Sequence, residues 1–500
     1  MNSNEPTAFT DATLSEVDAA LQQSWEAFEV YRKKDLKARA QFLRTIAEEM
    51  KAQTDDLIRT ARAETHLGEA RLLVEWNRTL FQLTSYAAAC EQGAWLDIRI
   101  DTADSQRNPP KPDLRKMLVP LGPVVVFGAS NFPFAYSTAG GDTACALAAG
   151  CPVIIKAHAA HAGTSQKVAE AVQRAAKSCG LPEGIFLHLH GASFEVGKAL
   201  VEHPLTRAIA FTGSFEGGKA LFDLAGKRPL PIPVFAEMGS VNPVFLLPQK
   251  LQAEVDGIAT MYFNSITQSV GQFCTNPGLI AGIDSPALDT FIDLLGAKIK
   301  GEKPQAMLHR GIAQHFRKNR AEALAQPGVE LAGETAFPAL ENESIPTIAT
   351  VAGALFLENP QLHKEVFGPY SLVIRCADRQ ELLQVARRLE GQLTASLLAS
   401  DEEVEQYGPL VAALQELCGR LVFNGVPTGV EVALSMHHGG PFPATTDSRF
   451  TAVGPDGIKR FARPLCYQGW PSHLLPCELR DENPLGLWRT VNNELTKEGL

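Results

Sequence analysis

Short apolar runs alternate with helix-like segments between residues 123 and 245, and few folds accept this pattern. Continuous apolar strands separated by helices indicate βαβ units, whose parallel sheet is covered by helices on both faces. Ligands of such sheets bind beyond the carboxyl ends of the strands. The predicted strands occupy residues 124–127, 153–156, 185–189, 208–211 and 232–236.

Four polar or glycine residues lie at or just past the ends of these strands: Asn131, Lys156, Gly213 and Glu237. Because the carboxyl ends of parallel strands meet at one edge of a sheet, we expect these residues to lie together although they are far apart in sequence. The sequence therefore predicts a ligand site at this edge.

The charge and the cysteines of the chain exclude several classes of protein. Net charge is −10, and the absence of a basic run argues against a nucleic-acid or anionic-membrane surface. The nine scattered cysteines include no Cys-x-x-Cys pattern, which suits a reducing cytoplasm and opposes a disulfide framework. Residues 1–6 lack the basic and then apolar pattern of a signal sequence, and no apolar run is long enough to span a membrane.

One cysteine, Cys274, stands between a helical apolar pattern over 255–266 and a strand-like run over 279–283. Gly271 and the Pro-Gly pair at 277–278 break the chain on either side of it. A thiol at such a break can meet a ligand while the scaffold holds it still. A cysteine that only fills space in the core is the alternative, since free cysteine is among the most buried residues.

Cys274 belongs to one of four segments that, taken in order, resemble the aldehyde dehydrogenase superfamily. The resemblance extends from about residue 38 to residue 468. The four segments are Phe-Gly-Ala-Ser-Asn-Phe-Pro at 127–133, Phe-Ala-Glu-Met-Gly at 235–239, Gly-Gln-Phe-Cys-Thr-Asn-Pro-Gly at 271–278 and Lys-Glu-Val-Phe-Gly-Pro at 364–369.

This resemblance implies an α/β fold with three parts and a tail. A Rossmann-type parallel-sheet domain for a dinucleotide would comprise residues 1–100 and 121–239, and an α/β catalytic domain would comprise 240–435. A β-hairpin element at 101–120, with a returning strand within 455–468, would join subunits into a homodimer or homotetramer. The tail at 469–500 has no clear pattern.

Aldehyde oxidation explains why these residue types occur. A thiolate from Cys274 makes the aldehyde carbon tetrahedral, so that it can release a hydride. The Asn131 amide and the Cys274 backbone N–H are candidate donors to the oxyanion. A carboxylate must then help water to attack the thioester, and we expect burial to raise the pKa of Glu237 toward a useful range.

The cofactor signal is a Gly-rich turn at Gly213 and Ser214, where free N–H groups at a helix start favour a phosphate. By resemblance Lys156 contacts the adenosine ribose, while Glu365 and Phe367 contact the nicotinamide end. The position three residues after Lys156 often carries a glutamate that favours NAD in the family, but here it is Ala159. The sequence therefore favours NADP, or use of both NADP and NAD.

A long polar loop at 436–450 resembles the corresponding loop of the α-ketoglutarate-semialdehyde branch of the superfamily. This resemblance implies 2,5-dioxopentanoate as the aldehyde, and Arg449 could pair with its carboxylate. A structural ion pair of Arg449 is an equal alternative. Medium-chain or aromatic aldehydes remain open as substrates.

Two hypotheses from other classes compete with the dehydrogenase. A cysteine hydrolase or acyltransferase would use Cys274 with some histidine but would not explain Gly213 or Lys156. A metal-binding protein would use one of three histidine pairs, at 158 and 161, 188 and 190, or 437 and 438. These pairs lack clustered carboxylates or thiols, so we expect no metal. Within the dehydrogenases, a CoA-acylating enzyme is also possible, although Glu237 favours hydrolysis.

Overall fold

The computed structural model describes residues 9–500; the first eight residues, including the stretch expected to lack a signal sequence, lie outside the described part. Helices open the described chain, as predicted for residues 12–92, and their buried faces pack on the rest of the protein. They are α1 (Leu14–Tyr31), α2 (Leu36–Lys51), α3 (Thr54–Thr65) and α4 (Glu69–Gln92).

A hairpin follows, formed by β1 (Arg99–Asp101) and β2 (Leu114–Pro120) in antiparallel pairing. Residues 94–96, just before β1, form a 3-10 turn. Asp97 has a φ of 46°, a left-handed conformation that interrupts an extended strand.

The alternating region forms five parallel strands with helices between them, in the strand order β5-β4-β3-β6-β7. The order reverses between β3 and β6, which is where such sheets bind ligands. The elements are β3 (Val124–Phe127), α5 (Gly141–Ala149), β4 (Val153–Lys156), α6 (Ala162–Ser178), β5 (Phe186–Leu189), α7 (Phe194–Glu202), β6 (Ala208–Thr212), α8 (Phe215–Gly226) and β7 (Val234–Glu237).

Apolar layers cover both faces of this sheet. Val124 and Val126 of β3 enter one hydrophobic cluster, whereas Val125 enters another. Because successive side chains of a strand point to opposite faces, a continuous apolar run is what a strand buried on both sides requires. The predicted class, an α/β protein with a parallel sheet, is confirmed.

A second, seven-stranded sheet has the order β10-β11-β12-β9-β8-β13-β14, with only β10 antiparallel to its neighbour. The elements are β8 (Val244–Leu246), α9 (Pro248–Thr267), β9 (Leu279–Ile283), α10 (Pro286–Gly301), α11 (Arg310–Leu324), β10 (Glu330–Glu334), β11 (Thr347–Ala352), α12 (Gly353–Glu358), β12 (Tyr370–Cys376), α13 (Arg379–Arg388), β13 (Gln392–Leu398), α14 (Asp401–Gln406), α15 (Gly408–Leu417) and β14 (Cys418–Phe423).

The returning strand is β15 (Ala462–Gln468), which pairs antiparallel with β2. It lies within the expected range of 455–468, after a 3-10 helix formed by residues 455–461. The tail contributes β16 (Arg489–Val491) and β17 (Glu494–Thr496), so the third sheet has the order β15-β2-β1-β16-β17. Within residues 9–500, none of the helices combines the length and apolar character that a membrane crossing needs.

A buried ion pair joins the 3-10 helix at 455–461 to the first turn of α5. Arg460 and Asp142 are 2.7 Å apart, with side chains only 4% and 12% exposed. Their attraction acts in a poorly screened environment, and each charge would be costly to leave alone there.

We expect Asp142→Asn to lower the free energy of unfolding by about 3–5 kcal/mol, the usual cost of leaving one charge of a buried pair without its partner. Urea denaturation measures this. Asp456→Asn is the matched control, because Asp456 pairs with Lys459 at the surface and exposed pairs contribute only about 0–1 kcal/mol. Equal losses in both variants would contradict the assignment.

Candidate active site

Cys274 lies between α9 and β9, after a 3-10 turn at Gln268–Gly271. Gly271 has a φ of 64°, and a Cβ there would lie 2.4 Å from the backbone carbon of Gly368. The Asn276 side-chain amide donates to the Gly368 carbonyl at 3.1 Å. The cysteine segment and the segment at 364–369 are therefore locked together, which brings two of the four sequence motifs into contact.

Asn242 holds the backbone of the cysteine segment in place through hydrogen bonds. Its amide nitrogen donates to the carbonyl of Cys274 at 2.8 Å and to that of Asn276 at 3.0 Å. The residue is fully buried and has a φ of 46°, a conformation that asparagine tolerates better than most residues. Sequence reasoning missed Asn242, and its position next to the Phe-Ala-Glu-Met-Gly motif was the one available signal.

Glu237 ends β7, and the loop at 436–450 pairs with it there. Glu237 forms a bridge with Thr445, and the Met238 N–H donates to the Ala444 carbonyl at 2.8 Å. This pairing brings His438 to the carboxylate, with 3.0 Å between His438 Nε2 and Glu237 Oε1. Both side chains are buried.

The same imidazole nitrogen lies 3.6 Å from the sulfur of Cys274. Cys274, Glu237 and His438 thus form a cluster whose ligand atoms all lie within 4.8 Å of one another. The sequence singled out His438 only as half of a possible metal pair and missed its contact with the cysteine. Its signal was its place in a long loop that resembled a family segment.

The pKa of Glu237 in this cluster differs from what the sequence led us to expect. Burial raises the pKa of the Cys274 thiol well above its ordinary value, and the neighbouring Glu237 carboxylate raises it further. Burial also acts to raise the pKa of Glu237, but the charge and hydrogen bond of His438 outweigh it and hold that pKa below its ordinary value. The expectation of a raised Glu237 pKa is therefore wrong, because it did not include His438.

Asn131 follows β3, and its side-chain amide donates to the carbonyl of Gln272 at 3.1 Å, two residues before Cys274. An amide group has two N–H bonds, so one remains for another acceptor. The structure therefore places a side-chain donor beside the cysteine segment, where the sequence predicted one.

Lys156, Gly213 and Ser214 lie at the carboxyl edge of the parallel sheet. The Gly213 N–H donates to the Glu237 carbonyl at 3.1 Å, so it is not one of the free donors that the sequence predicted. Ser214 caps α8 by accepting from the Gly217 N–H at 3.2 Å. The first turn of α8 still presents N–H groups without acceptors inside the helix, which suits a phosphate.

Glu365 and Phe367 belong to the segment that contacts Gly271, and both are partly buried. A Cβ on Gly239 would lie 2.6 Å from the Glu365 carboxyl group, so glycine is required for this approach. Burial raises the pKa of Glu365 to about 8. A half-buried carboxyl group with this pKa suits hydrogen bonding to sugar hydroxyls, and the residues at this edge fit a dinucleotide.

Arg449 does not join the cluster. Its guanidinium makes hydrogen bonds of 2.8 and 2.6 Å with the Asp447 carboxylate, and its side chain is 80% exposed. This arrangement matches the structural ion pair that was the alternative for Arg449. Its use as a substrate ligand stays a prediction.

The three histidine pairs have different surroundings. His161 donates its Nε2 proton to the Ala129 carbonyl at 2.8 Å, and His188 contacts the Ser165 hydroxyl. Among the described residues, the pair at 437 and 438 alone contributes to a group that could hold a metal ion, through His438 with Cys274 and Glu237. The metal hypothesis therefore gains a concrete location that the sequence did not reveal, and metal analysis of the purified protein tests it.

The geometry of this site is by itself typical of one class of enzyme. A partly buried thiol near the carboxyl edge of a dinucleotide-type sheet, beside a carboxylate and an amide donor, is typical of a dehydrogenase that works through a covalent thioester. The model of the aldehyde dehydrogenase family matches residues 2–441. The chain belongs to this family.

The chain is similar to particular members of this family over most of its length. The chain is 47% identical to alpha-ketoglutaric semialdehyde dehydrogenase 2 of Azospirillum brasilense, over 96% of this chain and 92% of the relative. It is 45% identical to alpha-ketoglutaric semialdehyde dehydrogenase of Acinetobacter baylyi, over 98% and 93%. A glyceraldehyde-3-phosphate dehydrogenase of Methanocaldococcus jannaschii, solved with NADP, shares the fold with a TM-score of 0.78 at 19% identity, over 92% and 95%.

These comparisons confirm the predicted family, fold and enzyme class, an NAD(P)-dependent aldehyde dehydrogenase, over the hydrolase and metal-binding hypotheses. They do not test the roles of single residues, which stay predictions.

The raised Cys274 pKa gives a first test of the cluster. Because the Glu237 carboxylate raises that pKa, Glu237→Gln should increase the thiolate fraction and speed alkylation of Cys274 by iodoacetamide at pH 8. In the unmodified protein the rate should keep rising with pH past 9, since the pKa lies above its ordinary value. Mass spectrometry of the Cys274 peptide measures both rates.

Exposed Cys466 serves as the internal control, because it lies outside the cluster and its rate should not change. Slower alkylation of Cys274 in the glutamine variant would mean that Glu237 acts mainly by withdrawing the thiol proton.

Proposed function

We propose that the chain oxidises 2,5-dioxopentanoate to 2-oxoglutarate with NAD(P), through a thioester on Cys274. The observation that supports this most is the cluster of Cys274, His438 and Glu237, with the Asn131 amide beside it. The names of the relatives support the choice of aldehyde. Medium-chain and aromatic aldehydes are the alternative substrates.

The first half of the reaction is thiol addition. The Cys274 proton passes through the Glu237–His438 pair to solvent, which leaves Glu237 ionised again, and the sulfur adds to the aldehyde carbon. The Asn131 amide and the Cys274 backbone N–H stabilise the resulting oxyanion. A bound nicotinamide dinucleotide supplies the hydride acceptor, and collapse of the oxyanion then leaves a thioester on the sulfur.

The second half is hydrolysis. Glu237, ionised because its pKa lies below its ordinary value, removes a proton from the water that attacks the thioester. His438 keeps this carboxylate oriented, since its Nε2 is 3.0 Å away. A carboxylate so close to the sulfur favours water over CoA as the acceptor.

Because a thioester separates acylation from hydrolysis, Glu237→Gln should affect these two halves of the reaction differently. Acylation should still give a burst of reduced cofactor equal to the number of active sites, because Cys274 is intact and His438 Nε2, 3.6 Å from the sulfur, can still take up its proton. Steady turnover should then fall by about 10²–10⁴-fold, the usual contribution of a general base. Rapid-mixing absorbance of the reduced nicotinamide measures both phases.

Cys274→Ala is the control, and it should show neither phase while still binding the cofactor. A glutamine variant that turns over at the unmodified rate would make Glu237 structural. A panel of 2,5-dioxopentanoate, hexanal and benzaldehyde tests the aldehyde in the same assay. Equal preference for hexanal would remove the semialdehyde assignment and leave the family activity.

The choice between NADP and NAD depends on charges beside Lys156. We propose that both cofactors are used, since Ala159 removes one carboxylate that would repel a 2′-phosphate. A second carboxylate opposes this: Asp11 accepts from the N–H groups of Ala192 and Ser193 at 2.6 and 2.9 Å. Together with a hydrogen bond from the Ser193 side chain, the largest cause, they lower the pKa of Asp11 to about 2, with a smaller contribution from Lys156.

Asp11, which precedes α1, lies against the loop after β5. The neighbouring Ala12 N–H donates to the His190 carbonyl of that loop at 2.9 Å. Lys156 pairs with Leu189 in the sheet, immediately before this loop. With the nicotinamide end at Cys274, Lys156 at the end of β4 would hold the adenosine ribose. The Asp11 carboxylate would therefore face the 2′ position and disfavour a phosphate there.

Asp11→Asn should raise the ratio of NADP to NAD kcat/KM by roughly 3- to 10-fold, the scale of one exposed charge interaction. Calorimetric binding of 2′,5′-ADP and ADP gives the same comparison without turnover. Asp18→Asn is the matched control, because Asp18 contacts His203 at the far end of α7. An unchanged ratio in Asp11→Asn would remove Asp11 from cofactor selection.

The expected domain limits, cytoplasmic location and subunit assembly are also proposals. Nine free cysteines support a reducing compartment. The pairing of β2 with β15 and with the tail strands forms a sheet apart from the two larger ones, which supports an assembly role as a homodimer or homotetramer. Light scattering distinguishes these states.

A further inference from the structure

Arg78 is a guanidinium near the active site whose charge the proposed chemistry does not use. It lies on α4, partly buried, and donates to three neutral acceptors. The distances are 3.3 Å to Gln82 Oε1, 2.8 Å to the Val430 carbonyl and 3.1 Å to the Tyr136 hydroxyl. Since a guanidinium carries five N–H bonds, two remain available.

No ion pair of Arg78 occurs within the described part of the chain. Nearby arginines differ in this respect: Arg71 pairs with Glu75 at 2.7 Å, and Arg460 pairs with Asp142. A partly buried charge without a counter-ion is costly, and a bound anion would remove that cost.

Arg78 is connected to the cysteine by a wall of aromatic rings. Its guanidinium lies 5.5 Å from the Tyr136 ring centre, and Tyr136 is 4.9 Å from Phe132 and 6.3 Å from the His438 ring. Phe132 lies in turn 5.5 Å from Phe273, the residue before Cys274. An extended aldehyde could lie along this wall between the sulfur and the guanidinium.

Arg78 and Cys274 also interact electrostatically. Burial and Glu237 raise the pKa of Cys274, whereas the positive charge of Arg78 acts to lower it. Arg78 is thus close enough for its charge to reach the sulfur.

A second guanidinium, Arg420, lies behind the same wall. It donates to the carbonyls of Gly429 and Pro427, while Arg78 holds the adjoining Val430. Burial lowers the pKa of Arg420, and interactions with Cys274 and Tyr136 oppose that shift. Its Nε is buried without a hydrogen-bond partner in the described residues. Two cations therefore flank one loop of a protein whose net charge is −10.

We propose that Arg78 binds the carboxylate of the aldehyde substrate, with Arg420 adding positive potential. This rests on the proposed function and extends it to a substrate class, aldehydes that carry a carboxylate a few carbons away. The Tyr136 hydroxyl accepts from Arg78, so its own proton is free to donate to a 2-oxo group. Arg78 thereby replaces Arg449 as the leading candidate for this role.

A purely structural role is the competing explanation, since both arginines hold the loop at 427–430. Loss of the loop would slow every aldehyde equally, whereas loss of a carboxylate ligand would slow acidic aldehydes selectively. The ratio of kcat/KM for 2,5-dioxopentanoate to that for pentanal, a neutral aldehyde of equal length, separates the two explanations.

Arg78→Met should lower this ratio by about 10- to 150-fold, the range for a charge-assisted hydrogen bond, mostly through KM for the acid. Arg78→Lys should retain part of the preference for the acidic aldehyde. Tyr136→Phe should lower kcat/KM for 2,5-dioxopentanoate, which has the 2-oxo group, but not for succinate semialdehyde, which lacks it. Arg59→Met, on the exposed side of α3, is the matched control and should leave the ratio unchanged.

Calorimetric titration with 2-oxoglutarate, the product, gives a readout without turnover, and Arg78→Met should weaken its binding by a similar factor. An equal loss for both aldehydes would overturn the proposal in favour of the structural role. Loss of the preference in Arg449→Met but not in Arg78→Met would assign the carboxylate to Arg449. If the unmodified enzyme shows no activity with 2,5-dioxopentanoate yet oxidises succinate semialdehyde through Arg78, the proposed substrate fails and the carboxylate site stands.

Discussion

The hydrogen bond between Glu237 and His438 sets the charge state of the whole site. Both side chains are buried, where water cannot screen them, so each controls the other and the neighbouring sulfur. The pair keeps Glu237 ionised and the Cys274 thiol protonated at rest. Burial and the Glu237 charge thus favour the protonated thiol, while a proton acceptor, His438 Nε2, lies 3.6 Å from the sulfur.

This pair depends on backbone supports from both large sheets. The loop at 436–450 pairs with the end of β7, and a Cβ on Gly440 in that loop would lie 2.1 Å from the Gln392 carbonyl. The Gln392 side chain accepts from the N–H groups of Val241 and Asn242, and Asn242 in turn holds the carbonyl of Cys274. One buried amide network from the second sheet therefore fixes both the Cys274 segment and the residues that follow Glu237.

The sequence predicted what depends on periodicity and on chain breaks. The five-stranded parallel sheet, the position of Cys274 and the strand-end location of Glu237 and Lys156 all follow from local patterns. It could not predict His438, because the contact between residues 237 and 438 exists only after a long loop has folded back on β7. The same limit explains the wrong direction for the Glu237 pKa, which depends on a partner about two hundred residues away. Arg78 was missed because a helical arginine normally indicates a solvated face.

Two carboxyl groups at this site are held in opposite charge states near neutral pH. Burial without a cationic partner raises the pKa of Glu365 to about 8, so it is largely protonated at pH 7. Glu237, buried more deeply, stays ionised because His438 stabilises its charge. Two titratable groups separated in this way suit different tasks: an ionised carboxylate such as Glu237 suits the base of the proposed hydrolysis, and a protonated one such as Glu365 suits hydrogen bonding to hydroxyl groups. The environment of each carboxyl group, and not its residue type, therefore decides its charge state.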